Sequence, residues 1–174
     1  GHPVPINIEN GIAAMAMAQL NGCNAEELKY GMSTYKGVDR RFDFKVKKDN
    51  IVFLSDYAHH PIEVMQSAKS LKQLYQDKKI TVIFQPHLYT RTRDFAPEFA
   101  EVLSLCDKVI MIPIYPAREL PIEGVTSELI GRSITASWEL VDRFDVANYL
   151  KDVDTDVVVT FGAGNIDVIC NDVA

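Results

Sequence analysis

Four apolar, strand-like runs in this chain each end on a short polar segment, and that pattern restricts the fold more than any other feature. Ile51-Val52-Phe53-Leu54 leads into Asp56-Tyr57-Ala58-His59-His60-Pro61, and Ile80-Thr81-Val82-Ile83-Phe84 leads into Gln85-Pro86-His87-Leu88-Tyr89-Thr90-Arg91-Thr92-Arg93-Asp94. Val109-Ile110-Met111-Ile112 leads into Tyr115-Pro116-Ala117-Arg118-Glu119, and Val157-Val158-Val159-Thr160 into Gly162-Ala163-Gly164-Asn165. Helical stretches separate the runs, which predicts an α/β fold with a mostly parallel sheet and right-handed crossovers. In such sheets ligands bind in the crevice beyond the carboxyl ends of the strands. Three histidines, two or three arginines and a carboxylate gathered at that edge describe a site for an anionic small molecule.

The spacing predicts a helix over 7–20, with Ile8, Ile12, Met15 and Ala16 on one side, ending at Asn21-Gly22. Asn24 can cap a second helix to about Tyr35, with Glu26 and Glu27 in its first turn. No strand precedes these helices, so they read as the tail of a preceding domain, with 36–39 as linker. Gly1 is not a methionine, and the start reads as a cut through a longer protein. Phe42, Phe44 and Val46 alternate with Asp43, Lys45 and Lys47, and Lys48-Asp49-Asn50 turns the chain back, which predicts a hairpin. A helix follows Pro61 to about Tyr75, with Met65, Ala68, Leu71 and Tyr75 inward. A further helix is expected from Phe95 to Leu105 with Asp94 as its cap, then short helices near 127–131 and 146–151, the strand at 156–161 and a final helix from about Asn165.

The formal net charge of −6 argues against a nucleic-acid binder that relies on a general basic field. No apolar stretch is long enough to span a bilayer, and no signal peptide pattern stands at the start. Cys23, Cys106 and Cys170 follow no zinc or redox spacing and read as buried free thiols, which fits a reducing cytoplasm and predicts a cytoplasmic protein. No G-x-x-x-x-G-K-[ST] loop and no nucleophile elbow occurs. Gly162-Ala163-Gly164-Asn165 lacks the third glycine of a dinucleotide fingerprint, since Asp167 stands there, and is better explained as a tight strand-to-helix turn.

His59 and His60 stand just ahead of a helix N-terminus, where free N–H groups and the positive dipole end favour an anion. Residue His60, before Pro61, suits local capping, which leaves His59 to face a ligand. A metal at this histidine pair is disfavoured, and none is expected. Arg91 and His87 read as ligand-facing, whereas Arg93 reads as a surface ion pair with Asp94 or Glu98. From Lys36 to Asp49 there are six Lys or Arg against three Asp, so Arg40-Arg41 is either a solvated hairpin face or a phosphate contact.

Taken in order, Gly37-Val38-Asp39-Arg40-Arg41-Phe42, Asp56-Tyr57-Ala58-His59-His60-Pro61, Phe84-Gln85-Pro86-His87, Tyr115-Pro116-Ala117-Arg118-Glu119-Leu120-Pro121-Ile122 and Gly162-Ala163-Gly164-Asn165-Ile166 resemble the Mur ligases, in particular the branch that adds L-alanine. Asn7 and Asn10, followed by Gly11-Ile12-Ala13-Ala14, resemble the last helical part of the family's central ATPase domain. The resemblance implies that 1–36 is the helical tail of the central ATP-binding domain. It also implies that 37–174 is the C-terminal amino-acid-binding domain, Rossmann-like, with the hairpin at its start. It implies an ATP-dependent, carbon–nitrogen bond-forming ligase of peptidoglycan precursor synthesis, which joins L-alanine to UDP-N-acetylmuramate through an acyl phosphate. Its partners are L-alanine, ATP and UDP-N-acetylmuramate, with the remaining domains of the same ligase. ATP and Mg would be bound mainly by the central domain, so this chain alone is expected to be inactive, with no catalytic residue assigned in it.

By position, the resemblance places Tyr57, His59, His87 and Arg91 in the alanine pocket, with Arg91 on the substrate carboxylate. It places Asn7 and Asn10 on adenine, Asp56 on the ribose hydroxyls and Arg41 on the ATP phosphates. Leu88 stands where many relatives have Arg, and Ile6 where a histidine is often found. The hairpin at Lys48-Asp49-Asn50 is shorter than in some relatives, and Arg118 receives no role. Two rivals remain: a related ligase that attaches recycled murein peptide, for which Phe would be expected in place of Tyr57, and a stand-alone anion-binding domain.

Overall fold

The computed structural model describes residues 5–173 and divides into two compact units between Asp39 and Arg40. In the first, α1 (Pro5–Leu20) packs on α2 (Ala25–Thr34). The cap of α2 is complete: the Asn24 side chain accepts from the Glu26 and Glu27 N–H groups at 3.0 and 3.1 Å, and Glu27 accepts from Asn24 N at 2.8 Å. The stripe that turns inward on α1 is Gly11, Met15 and Ala18, not Ile8, Ile12 and Ala16 as the spacing suggested. Gly11 explains the difference, because a Cβ there would lie 3.2 Å from Met32 Cε, so its missing side chain admits α2. Ile8 and Ile12 stay exposed.

The second unit is a six-stranded sheet in the order β1-β2-β6-β3-β4-β5. Hairpin strand β1 (Asp43–Lys47) is antiparallel to β2 (Val52–Asp56), and β2, β6 (Val157–Phe161), β3 (Ile80–Phe84), β4 (Lys108–Met111) and β5 (Ser137–Leu140) run parallel. Every residue of β2, β3 and β6 is buried, which is why these strands read as unbroken apolar runs: helices cover both faces. On one face Phe53, Val158, Ile83 and Ile110 pack with Val146 of α7 (Val146–Leu150) and Ile169 of α8 (Asp167–Val173). On the other lie α3 (Pro61–Leu74) and α5 (Ala96–Leu103), where Phe84 and Phe99 approach to 5.1 Å between ring centroids.

Four expectations need correction. Cys23 is exposed, and only Cys106 and Cys170 are buried thiols. The helix foreseen from Phe95 to Leu105 is α5, but Asp94 does not cap it: Asp94 ends a separate helix, α4 (Tyr89–Asp94), which was not foreseen, and a break at Phe95 divides the two. Pro97 causes the break, since it has no N–H to continue a helix begun at Tyr89, and the chain leaves helical geometry at Phe95 (φ −123°). The buried stripe of α3 is led by Val64, Ala68 and Leu71, with Met65 and Tyr75 half-buried. Strand β5 was not foreseen: Trp138 and Leu140 alternate with Ser137 and Glu139, but four residues on an exposed edge carry little signal. Its anchor is tertiary. The Trp138 ring lies against Gly131 at the end of α6 (Glu128–Gly131), where a Cβ would come within 2.4 Å of it.

Candidate functional site

The helices after β2 and β3 leave on one face of the sheet and the helix after β6 on the other. The outgoing chain therefore opens a crevice on each side of the β6 carboxyl end, the place where open α/β sheets bind ligands. Tyr57 and His59 arrive there from β2, His87 and Arg91 from β3, Tyr115 from β4 and the Gly162–Asn165 turn from β6.

The rings form a chain. Tyr57 and His59 meet edge to face at 5.2 Å between centroids, His59 and His87 at 5.6 Å, and His87 stacks on Tyr115 at 5.7 Å and 20°. Arg91 Nη1 lies 3.3 Å from His87 Nδ1. A guanidinium only donates, so Nδ1 of His87 carries the lone pair and the proton sits on Nε2. Burial, then the charges of Arg91 and His59, hold the His87 imidazole below its ordinary value of 6.5, with Glu119 opposing. His87 is thus neutral at pH 7. His59 has the reverse arrangement: its Nδ1 lies 2.9 Å from the Tyr57 carbonyl, which only accepts, so Nδ1 carries a proton and, in the neutral ring, Nε2 is the open acceptor. The pair offers a ligand one donor and one acceptor.

Backbone contacts fix this constellation. Tyr115 pairs with the His87 strand end through Leu88 N to Tyr115 O (3.0 Å) and Tyr115 N to Pro86 O (2.9 Å). Leu88 takes φ +73° to turn directly into α4, and Glu119 caps that helix by accepting from Thr90 N (2.9 Å) and Thr90 Oγ1 (2.5 Å). Tyr115 and Glu119 lay in a segment that looked chemically active, yet neither had been given a role. Alternation in sequence could not reveal a contact made 29 residues away.

The other candidates fall differently. His60 caps α3, its Nδ1 accepting from Ile62 N at 3.4 Å while its ring packs on Phe95 at 5.0 Å. Glu63 accepts from the N–H groups of both His59 and His60 at 3.1 Å, completing a capping box. Arg93 is paired with Asp94 at 2.7 Å on the surface, as its neighbour suggested. In the helix of α4, residues two apart point about 200° away from each other, so Arg91 and Arg93 diverge. Asp56 is only 8% exposed, accepting from Ser67 Oγ at 2.5 Å and Ala58 N at 3.2 Å. Burial raises its pKa, against the two hydrogen bonds and the charge of Arg41. Arg41 is exposed, as is Arg118. Asn7 and Asn10 are exposed on α1, in the other unit. Gln85 is buried, donating from Nε2 to Asn165 Oδ1 at 2.9 Å.

His87 gives the unit a pH dependence. Its folded pKa is depressed, so its full contribution to stability is present above 6.5 and is lost as the pH falls through that value toward the folded pKa. Urea unfolding at pH 7.5 and 5.5 should show wild type losing more stability than His87→Gln. Equal losses would mean that the imidazole is not held neutral by its surroundings.

A profile of the Mur ligase, glutamate ligase domain, matches residues 40–164, a span that contains β1 through β6 and every residue of the ring chain. The chain belongs to the Mur ligase family. It is 57% identical over 169 residues to the UDP-N-acetylmuramate–L-alanine ligase of Phocaeicola vulgatus, covering 96% of this chain and 37% of that protein. It is 48% identical over 169 residues to the enzyme of the same name from Porphyromonas gingivalis, again covering 96% and 37%. The chain therefore spans a little over a third of the length of these relatives. Among solved structures, UDP-N-acetylmuramate-alanine ligase MurC from Thermotoga maritima superposes with a TM-score of 0.81 at 24% identity, over 99% of this chain and 37% of that one. A murein peptide ligase from Psychrobacter arcticus gives 0.69 at 18% identity, over 99% and 37%. These two likenesses establish the fold: a mostly parallel α/β sheet of the kind found in Mur ligases.

Proposed function

We propose that this chain is the C-terminal part of an ATP-dependent ligase that joins L-alanine to UDP-N-acetylmuramate in peptidoglycan precursor synthesis. Residues 1–36 are then the tail of its ATP-binding domain and 37–174 its amino-acid domain. The observation that carries the reading is the convergence of Tyr57, His59, His87 and Arg91 at one sheet edge, in a chain 57% identical to a relative of that name.

In the reaction, the muramoyl carboxylate attacks the γ-phosphorus of ATP, giving an acyl phosphate and ADP. The alanine amine then attacks the acyl carbon, and the tetrahedral intermediate collapses to the amide with loss of phosphate. Arg91 keeps donors beyond the one on His87 and binds the alanine carboxylate bidentately. His59 Nε2 accepts from the amine and aims it, while neutral His87 donates from Nε2 without adding charge beside the nucleophile. The half-exposed Tyr57 and Tyr115 rings bound the pocket. Closure of this domain over the acyl phosphate protects it from water.

Asn7 and Asn10 reach adenine and Arg41 the phosphates in this reading. Asp56 reaches the ribose only if a ribose hydroxyl takes over the proton-donating place of Ser67. ATP and Mg are held mainly by the central domain in this reading; among the described residues no three His, Cys, Asp or Glu side chains are grouped as around a metal ion. The soluble substrates of this reading favour a cytoplasmic enzyme; among the same residues no helix is long and apolar enough to cross a membrane.

Phosphate release tests the proposal. The full-length protein should release phosphate from ATP only when both UDP-N-acetylmuramate and L-alanine are present, and the 174-residue chain alone should release none. Turnover with a murein peptide but not with alanine would transfer the assignment to the peptide-adding ligases. Within the site, His59→Ala should depress alanine-dependent turnover, whereas His60→Ala should cost about 1 kcal/mol of stability through its lost cap and leave turnover near wild type.

A further inference from the structure

Arg40 is the first residue of the second unit, and its side chain does not reach outward as a phosphate ligand would. Its Nη2 donates to the carbonyls of Gly162 and Gly164 at 3.0 and 3.2 Å, and its Nη1 lies 3.6 Å from the Asp167 carboxylate. Those partners hold the guanidinium in the β6–α8 turn, where Gly162 takes φ +155°. The guanidinium's central carbon lies over the Tyr57 ring, 4.9 Å from its centroid. The backbone adds a second tie, since the Arg40 carbonyl accepts from Tyr57 N at 2.6 Å, and Arg40 takes φ +60° at that point. Tyr57 is itself 37% exposed, with His59 meeting it edge to face. A ring with so little packing around it depends on few contacts for its orientation.

We propose that Arg40 is a positioning residue that sets the Tyr57 ring in the alanine pocket, its guanidinium clamped between the glycine turn and the ring and unavailable to ATP. The inference rests on the pocket assigned above. It separates two neighbours that looked equivalent in sequence: Arg41 is the exposed cation, and Arg40 is an internal brace. Its Nε is buried and, among the described residues, without a hydrogen-bond partner, so the side chain is held by its terminal nitrogens and its contact with the ring. A guanidinium can donate from Nη2 to both carbonyls, face Asp167 with Nη1 and keep its central carbon over the ring; an ammonium has one nitrogen for all three contacts.

The test has a structural arm and a kinetic arm. In the 174-residue chain labelled with ¹³C-tyrosine, the Tyr57 ring signals, assigned with Tyr57→Phe, should shift or broaden in both Arg40→Ala and Arg40→Lys. If Arg40→Ala does not fold, Arg40→Lys carries the test. Unchanged Tyr57 signals in a folded variant would overturn the proposal whatever the kinetics. In the full-length ligase, either variant should raise the KM for L-alanine roughly tenfold, with the KM for ATP and kcat within about threefold of wild type. A rise in the KM for ATP instead would make Arg40 a phosphate ligand and also overturn the proposal. Moved ring signals with an unchanged KM for alanine would uphold the brace and refute the alanine pocket around Tyr57.

Discussion

Replacing Arg91 by Ala in the full-length ligase should weaken use of L-alanine roughly ten- to a hundredfold while leaving the KM for ATP near wild type. A bidentate, charge-assisted contact to a carboxylate is lost, which costs about 1.5–3 kcal/mol. Arg91→Lys should recover only part of the loss, because an ammonium keeps the charge without the fork. A second signature follows from the 3.3 Å contact with His87: without the neighbouring cation, the His87 imidazole should titrate closer to its ordinary value. Steady-state kinetics with each substrate varied, together with NMR titration of the histidines, would check both. If the KM for ATP collapses and that for alanine does not move, Arg91 is not the carboxylate ligand.

Gly164→Ala should damage the site from beneath. An added Cβ would lie 2.5 Å from Tyr115 Cγ, 2.7 Å from Tyr115 Cβ and 2.6 Å from Gln85 Oε1, distances that real contacts do not reach. The backbone of Tyr115 cannot retreat, because it is bonded on both sides to the His87 strand end through Pro86 and Leu88. Turning the ring cannot clear its own Cβ, so the glycine turn must shift and the ring with it, disturbing the stack on His87, and overpacking of this kind costs about 1–3 kcal/mol. Gly131→Ala is the matched control, since its Cβ meets the Trp138 ring at 2.4–2.6 Å, on strand β5 at the sheet edge. Both variants should lower the urea midpoint, but only Gly164→Ala should also shift the His87 titration and impair alanine use. A normal His87 titration in a destabilised Gly164→Ala protein would contradict the packing described here.

Much of the fold was legible because the central strands are covered on both faces. Burial of all five residues in β2, β3 and β6 demands uninterrupted apolar runs, and such runs are visible without coordinates. Strand β5 and the α4–α5 break were not legible. The first is four residues held by a tryptophan against a distant glycine, and the second is set by one proline together with a carboxylate cap from Glu119. His60 was readable as a cap from the proline that follows it, since that signal is local.

The sequence by itself determined the alternation of strands and helices, the edge of the sheet that carries the polar segments, and the residue types available there. Those properties depend on neighbours along the chain, through hydrophobic period, caps and turns. Only the tertiary structure decided the work of each side chain. It separated Arg40, braced against Gly162 and Gly164, from the exposed Arg41. It buried Asp56 against Ser67, and it gave His59 and His87 opposite free nitrogens through the Tyr57 carbonyl and the Arg91 guanidinium. The physical reason is range: propensity acts over a few residues, whereas hydrogen-bond polarity and burial at this edge are set by groups that the sheet brings together from positions as far apart as 40 and 164.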